Sequence, residues 1–219
     1  MDQDRDGISR RKRDSGDRPR TQAERRAESD SRMLRAATEL IARHGAAGVS
    51  LARIGIAAGY SRGLPTERYG SKGRLLEAVI DASDNWFQRR LAARLEGRTG
   101  LDALRERVRA HLETVNESRV PTVALFLLII DSAATLPELQ PRVQRLNDRW
   151  RTGILGDLQA AREAGELPGN LGLERHAVLI LAAMHGVAVQ ALIGLPGEDI
   201  LRAGDSIIDE LIDDLLRQG

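Results

Sequence analysis

Basic residues cluster around a run of helix-breaking residues in the first third of the chain, and their grouping suggests a chemical role. Residues 31–75 contain eight basic side chains and only two acidic ones, Glu39 and Glu67. Guanidinium and ammonium groups gathered on one small unit can neutralise phosphates, so this segment is a candidate DNA-binding surface. The basic residues are Arg32, Arg35, Arg43, Arg53, Arg62, Arg68, Lys72 and Arg74.

The formal net charge of +1 conceals an uneven distribution. Residues 1–75 carry 17 basic and 10 acidic side chains, whereas residues 76–219 carry 16 basic and 22 acidic ones. This split is expected if only the N-terminal part meets a polyanion. An arginine-rich composition is the alternative explanation, but it does not account for the uneven placement.

The sequence lacks the residue combinations typical of enzymes and metal sites. The four histidines, His44, His111, His176 and His185, have neither metal-ligand spacing nor an i, i+4 pair among them. The H-E-x-x-H, G-x-S-x-G and Walker motifs are absent. Without cysteine there is no thiolate ligand or cysteine nucleophile. We therefore predict no enzymatic activity, no catalytic residue, no metal and no cofactor.

Two features bear on localisation. The polar N-terminal segment has no apolar region of the kind that secretory signals carry. The most apolar run, residues 123–130, is much shorter than the about 20 residues that a membrane-spanning helix needs. We therefore predict a cytoplasmic protein that does not contact a membrane.

Helical periodicity follows a charged N-terminal segment. Residues 1–29 contain almost no large apolar side chain, so we predict a disordered arm. Its basic run at 10–13 either touches phosphate or is simply solvated.

No later window shows the period-two alternation of strands, so the predicted fold is all-α. Helices are predicted at 31–44, 50–58, 61–69, 71–95, 100–117, 121–134, 138–165, 173–193 and 200–217.

The breakers in AAGYSRGLPTERYGSK, residues 57–72, have definable positions between these helices. Gly59 is predicted to adopt the left-handed turn that ends the second helix, and Ser61 to cap the third. Gly70 is predicted to end the third helix and Ser71 to cap the fourth. Two short helices joined by a tight turn and braced by the first helix form a helix-turn-helix.

Residues 33–79 resemble the DNA-binding domain of TetR-type transcriptional regulators. The matching motifs are A-A-x-x-L-x-x-x-x-G at 36–45, S-L-x-x-I at 50–54, A-A-G at 57–59, S-R-G at 61–63 and Y-G-S-K at 69–72. The resemblance implies a DNA-binding domain at 30–80, with the helix-turn-helix at 50–69, after the arm at 1–29. Residues 81–219 would then form a helical-bundle domain for ligand binding and dimerisation.

The resemblance also implies which residues face DNA. The start of the second helix and the end of the third would hold phosphates, and the early face of the third would enter the major groove. The predicted DNA-binding residues are Ser50, Arg53, Ser61, Arg62, Gly63, Leu64, Thr66, Arg68, Tyr69 and Lys72.

This chain departs from the family pattern at Pro65-Thr66-Glu67. Members commonly have Leu-Tyr where this chain has Pro65-Thr66, and that Tyr usually meets a phosphate. Glu67 is expected to face away from phosphate or to accept a hydrogen bond from a cytosine amine. We therefore predict DNA binding with an unusual sequence preference.

The C-terminal half suggests a dimer interface and a ligand pocket. The segment 176–194 is apolar almost all round, and a wide apolar stripe follows on the last helix. Intrachain core explains part of this, and the resemblance implies pairing with a second copy through Ala188, Leu192, Ile208, Leu211, Ile212 and Leu215. If the family pattern holds, a pocket would be lined by Trp86, Phe87, His111, Phe126, Ile130, Asp131 and Trp150, although core packing or surface placement is the simpler explanation for each.

These observations predict a homodimeric transcriptional regulator, a repressor that a small-molecule effector releases from a two-fold operator. Two alternatives remain open at this point. A helical ligand-binding protein or enzyme that kept the fold would show no salt-dependent DNA binding. An architectural DNA-binding protein would show weak sequence preference and no effector.

Overall fold

The structure is a computed structural model that describes residues 21–194 together with 206, 209, 210 and 212–214. The described chain contains helices and no strand, as the sequence predicts. The helices are α1 (Gln22–His44), α2 (Leu51–Ala57), α3 (Leu64–Tyr69), α4 (Lys72–Leu95), α5 (Gly100–Glu117), α6 (Arg119–Ala134), α7 (Gln140–Glu163) and α8 (Leu173–Ile193), with a 3-10 turn at Pro137–Leu139.

The first helix begins earlier than the sequence predicts. Thr21 and Glu24 form a capping box: the Glu24 amide donates to Thr21 Oγ1 at 3.1 Å, and the Thr21 amide donates to the Glu24 carboxylate at 2.6 Å. This pair satisfies amides that the start of a helix otherwise leaves without partners. The prediction of disorder is therefore wrong for residues 22–29, where capping outweighs the lack of apolar side chains, and residues 1–20 lie outside the described part.

One apolar core is shared by the N-terminal helices and the C-terminal ones. Met33 and Ile41 of α1, Ile54 of α2 and Leu76 of α4 are fully buried in it. The same cluster continues into α6 and α7, where it includes Leu128 and Leu146. Helix α1 therefore packs against the C-terminal part of the chain as well as against its own domain.

A second core forms among α5, α7 and α8. Leu104, Leu158 and Ala177, one from each helix, are fully buried there. Residues 173–192 of α8 are long and apolar enough to cross a membrane by length and composition alone. Because one face of α8 packs into this core, the apolar composition has a structural explanation within the protein.

Ion pairs connect α4 to its neighbours in the C-terminal domain. Arg94 pairs with Glu106 and Glu113 of α5, and these hydrogen bonds raise the pKa of Arg94 and lower that of Glu113. The buried carboxylate of Asp84 lies 2.7 Å from the Arg149 guanidinium of α7. Paired charges of this kind can be buried without the full cost of losing their hydration.

Candidate DNA-binding surface and ligand cavity

The helix-turn-helix is built from α2, a tight turn and α3. The Ser50 hydroxyl accepts a hydrogen bond from the Arg53 amide at 3.3 Å, which confirms Ser50 as the cap of α2. Gly59 has φ +79°, a conformation that favours glycine, as predicted for the turn. Helix α3 starts at Leu64 with Gly63 in the cap position, so the prediction that Ser61 caps it is wrong: Ser61 belongs to the preceding turn, and its carbonyl accepts from the Leu64 amide at 3.3 Å.

Pro65 occupies the first turn of α3 and packs against α2. An α-helix does not use the amides of its first turn, so proline fits there at little cost. Its ring is buried, and a Cβ placed on Gly55 would lie 3.1 and 3.2 Å from ring atoms and would overlap the carbonyl oxygen of Ser61. The departure at Pro65 is therefore matched by a glycine at the facing position of α2.

The surface expected to face DNA is exposed at most predicted positions. Thr66 and Glu67 are exposed on α3, while Leu64 and Lys72 are partly buried. The Arg53 guanidinium donates to the Gly48 carbonyl at 2.5 Å, which positions it beside the start of α2. The predicted DNA-binding residues that the structure leaves exposed together are Ser50, Arg53, Ser61, Arg62, Gly63 and Thr66.

Arg68 and Tyr69 are turned towards α1 instead. The Arg68 guanidinium lies 3.3 Å from the Asp30 carboxylate and donates to the Ser29 hydroxyl at 3.3 Å. The Tyr69 hydroxyl is buried without a hydrogen-bond partner, and burial, followed by the charge of Asp30, raises its pKa to about 12. In this conformation both side chains are only partly exposed, and Arg68 connects α3 to α1. This arrangement does not support the prediction that they contact DNA directly.

A cavity of about 830 Å³ lies between α1 and helices α4 to α7. Its volume is in the range of small-molecule sites. Helix α1 forms one wall, although no residue of α1 was predicted to line a pocket. The lining residues are Ala27, Asp30, Ser31, Leu34, Arg35, Thr38, Glu39 and Arg43 from α1, Ala82, Ser83, Asp84, Trp86 and Phe87 from α4, His111, Thr114 and Val115 from α5, and Ser118, Val120, Pro121, Thr122, Leu125, Phe126 and Trp150 from the remaining wall.

Five of the seven residues predicted to line a pocket do line this cavity: Trp86, Phe87, His111, Phe126 and Trp150. Ile130 and Asp131 do not. The cavity meets α6 only in its first two turns, up to Phe126, and Ile130 on the following turn is 61% exposed. The other predicted residue, Asp131, comes later still, beyond the end of the cavity.

Aromatic and imidazole rings pack together beneath the cavity. The His185 ring centroid lies 5.1 Å from that of Trp150 and 6.0 Å from that of His111. Phe87 and Phe126 complete the cluster with edge-on contacts at 6.0 and 5.7 Å. His185 was not predicted, because its partners come from distant parts of the sequence and only the folded packing of α5, α7 and α8 brings them together.

Both histidines of this ring cluster are held neutral. Burial, with a smaller effect from His185, lowers the pKa of His111 to about 3, and burial also lowers the pKa of His185. The Nε2 atoms of both histidines and the Nε1 atom of Trp150 are buried without hydrogen-bond partners. The floor of the cavity is therefore uncharged near neutral pH.

The residues predicted for a dimer interface divide into three groups. Ala188 and Ile212 are fully buried within the chain's own cores, so they do not present a surface to a partner, contrary to the prediction. Leu192 is partly buried. The others, Ile208, Leu211 and Leu215, lie outside the described residues.

A different face of α8 is apolar and exposed. Val178, Ala182, Gly186, Val189 and Ile193 recur every three or four residues on it, and Ile193 is 67% exposed. Residues at this spacing share one helix face. An apolar face of this kind on the surface is typical of a protein interface.

Comparison with known proteins gives consistent results. A family model described as "Bacterial regulatory proteins, tetR family" matches residues 33–79, and one described as "BetI-type transcriptional repressor, C-terminal" matches residues 100–217. No curated protein sequence is significantly similar to this chain.

Solved structures share the fold over most of the chain. A TetR-family regulator from Rhodococcus sp. is 21% identical with TM-score 0.74, covering 85% of this chain and 99% of the other. FadR from Bacillus subtilis, in complex with stearoyl-CoA, is 15% identical with TM-score 0.74, covering 83% and 97%. A TetR regulator from Chloroflexus aurantiacus J-10-FL is 25% identical with TM-score 0.73, covering 85% and 93%.

The helix-turn-helix, the helical C-terminal domain and the two family matches agree over most of the chain. The protein belongs to the TetR family and is a DNA-binding, ligand-responsive transcriptional regulator.

Proposed function

We propose that this protein is a cytoplasmic, homodimeric repressor that an effector releases from a two-fold operator. The observation that carries the proposal is the cavity wall formed by α1, the first helix of the DNA-binding domain. A molecule in this cavity would touch both domains at once. It can therefore favour one arrangement of the recognition helix α3 over another, which is the requirement for a population shift.

We propose that DNA contacts come from Ser50, Arg53, Arg62, Gly63, Thr66 and Lys72, and that Ser61 and Leu64 complete the surface. Arg62, Gly63 and Thr66 would enter the major groove, and Lys72 would hold a phosphate. Arg68 and Tyr69 would act indirectly, by fixing α3 on α1.

We propose that the second copy docks through the exposed apolar face of α8 defined by Val178, Ala182, Gly186, Val189 and Ile193. Pairing there would bury apolar side chains that the single chain leaves in water. A two-fold dimer also places two recognition helices at the spacing of two half-sites.

The experiment that tests DNA recognition compares Lys72→Ala with Arg145→Ala, an exposed arginine of α7 outside the surface expected to face DNA. Each released phosphate contact is expected to reduce the slope of log affinity against log salt by about 1. We expect that reduction for Lys72→Ala and none for Arg145→Ala. Equal slopes for both variants would contradict the assignment.

A further inference from the structure

The cavity has an apolar interior against which an uncharged part of a ligand can pack. Phe87, Phe126 and Trp150 line it together with the aliphatic side chains of Leu34 and Leu125. Apolar and aromatic walls bind ligands mainly by removing apolar surface from water. The body of a matching ligand is therefore apolar.

The two threonines of the interior are already hydrogen-bonded to backbone carbonyls. The Thr114 hydroxyl donates to the Ala110 carbonyl at 2.8 Å, and the Thr122 hydroxyl donates to the Ser118 carbonyl at 2.9 Å. His111 is 7% exposed, and its Nε2 atom is shielded within the ring cluster. A charged group placed deep in the cavity would lose its hydration without finding a counter-charge, so a charged end must stay near the rim.

Two acidic residues of the lining are neutralised by arginines. Asp84 lies 2.7 Å from Arg149 and 3.5 Å from Arg142, and Asp30 lies 3.3 Å from Arg68. Neither carboxylate is left to attract a cationic ligand. The lining therefore does not favour a cationic ligand.

The charges that remain lie on α1 and are mostly positive. Arg35, Glu39 and Arg43 line the cavity at intervals of four residues, so they share one face of the helix. Among the described residues, no carboxylate lies within 4.0 Å of either guanidinium. Two arginines against one glutamate leave a net positive rim, and guanidinium groups match the geometry of carboxylate, sulfonate and phosphate.

We propose that the effector is an amphiphilic organic anion, with its apolar body against Phe87, Phe126 and Trp150 and its anionic end on Arg35 and Arg43. This inference rests on the proposed function and specifies its ligand. Because both arginines belong to α1, the bound anion bridges the C-terminal domain and the DNA-binding domain. The helix that recognises the charge of the ligand is therefore also a helix of the DNA-binding domain, so that one contact can both select the ligand and release the protein from DNA.

The test uses three probes of equal chain length: dodecanoate and dodecyltrimethylammonium below their micelle-forming concentrations, and dodecanol below its solubility limit. The chain has two tryptophans, and both Trp86 and Trp150 line the cavity, so intrinsic fluorescence of the full-length protein reports binding there. We expect dodecanoate to bind at least about tenfold more tightly than either other probe, the effect of one or two charge-assisted hydrogen bonds. Equal or tighter binding of the ammonium probe would overturn the proposal.

The double variant Arg35→Ala/Arg43→Ala separates the charged rim from the apolar interior. We expect it to lose the preference for dodecanoate and to keep its affinity for dodecanol, whereas the control Arg145→Ala keeps both. Survival of the preference in the double variant would also refute the assignment. DNA binding of the wild type without any probe is measured in parallel. Specific DNA binding without a preference for dodecanoate would contradict only the assignment of the ligand. Absence of specific DNA binding would contradict the proposed function.

Discussion

The guanidinium of Arg68, at the end of the recognition helix, lies 3.3 Å from the carboxylate of Asp30, a residue that lines the cavity. Arg68 is only 18% exposed, so its charge faces the protein and not the solvent where DNA would bind. The ion pair is thus a direct physical link between the cavity and α3. A change at either residue should alter how α3 is held.

Asp30→Asn and Arg68→Ala are expected to weaken DNA binding by similar, several-fold amounts without changing its salt dependence. The pair is partly exposed, so its coupling should be about 1 kcal/mol or less. Because both variants remove the same interaction, the double variant should be no worse than either single one. Fluorescence anisotropy over a salt series measures this. A lower salt slope for Arg68→Ala alone would instead indicate a direct phosphate contact.

Gly55→Ala is expected to lower the free energy of unfolding by about 1–3 kcal/mol, because the added methyl overlaps the Ser61 carbonyl and crowds the Pro65 ring. Gly63→Ala is the matched control: Gly63 has an ordinary φ of −85°, and an added Cβ there meets nothing within 4 Å.

Chemical denaturation should therefore show a loss for Gly55→Ala and almost none for Gly63→Ala. DNA affinity should fall in Gly63→Ala, since the new methyl lies on the surface expected to face DNA. Equal stability losses in the two variants would show that the close approach of α2 to Pro65 is unimportant.

Acid should destabilise the protein through His111. Its pKa is about 3 in the folded chain and returns to about 6.5 on unfolding, so only the unfolded chain takes up this proton between those values. The contribution of neutral His111 to the free energy of unfolding is complete above about pH 6.5 and is lost as the pH falls towards 3. From pH 7 to pH 5 the loss is about 2 kcal/mol.

Denaturation of wild type and His111→Phe at pH 7 and pH 5 isolates that loss, because the two proteins differ at this residue alone. We expect the variant to lose less stability than wild type over this interval. His44→Gln, at the exposed end of α1, should behave like wild type. If His111→Phe retained the full pH dependence, the neutral His111 would not be its source.

A charged residue in the middle of the apolar α8 face should prevent pairing of the chains. Ala182→Arg is expected to convert the protein to a monomer and to lower operator affinity, because one half-site alone would be held. Gln144→Arg adds the same charge at an exposed position of α7 and should remain dimeric. Sedimentation velocity distinguishes the two states, and a dimeric Ala182→Arg would rule this face out.

Local signals in the sequence were sufficient for most of the described helices and for the turn, and the helix predicted at 200–217 lies mostly outside the described residues. Capping by Ser50 and Ser71, the left-handed Gly59 and the apolar periodicity are all properties of near neighbours in the chain, and the structure confirms them. The start of α1 was missed because a capping box can extend a helix into a polar segment that buries little apolar surface.

The interior arrangement depended on contacts between distant residues, which periodicity does not encode. Three features arise from how the helices pack against one another. They are the α1 wall of the cavity, the position of His185 in the ring cluster and the contact of Arg68 with α1. The same is true of α8. The sequence predicts an apolar helix there, but it does not indicate which face packs inside the chain and which face stays exposed. Ala188 is buried, and Val189, the next residue, is exposed.

Binding of a two-fold DNA site through α2 and α3 can be measured by footprinting of the purified protein on the intergenic DNA beside its own gene, across a salt series. We expect a protected two-fold site, with half-sites about one helical turn or a multiple apart, whose occupancy falls steeply as salt rises. No protected two-fold site, together with a flat salt dependence, would contradict this expectation.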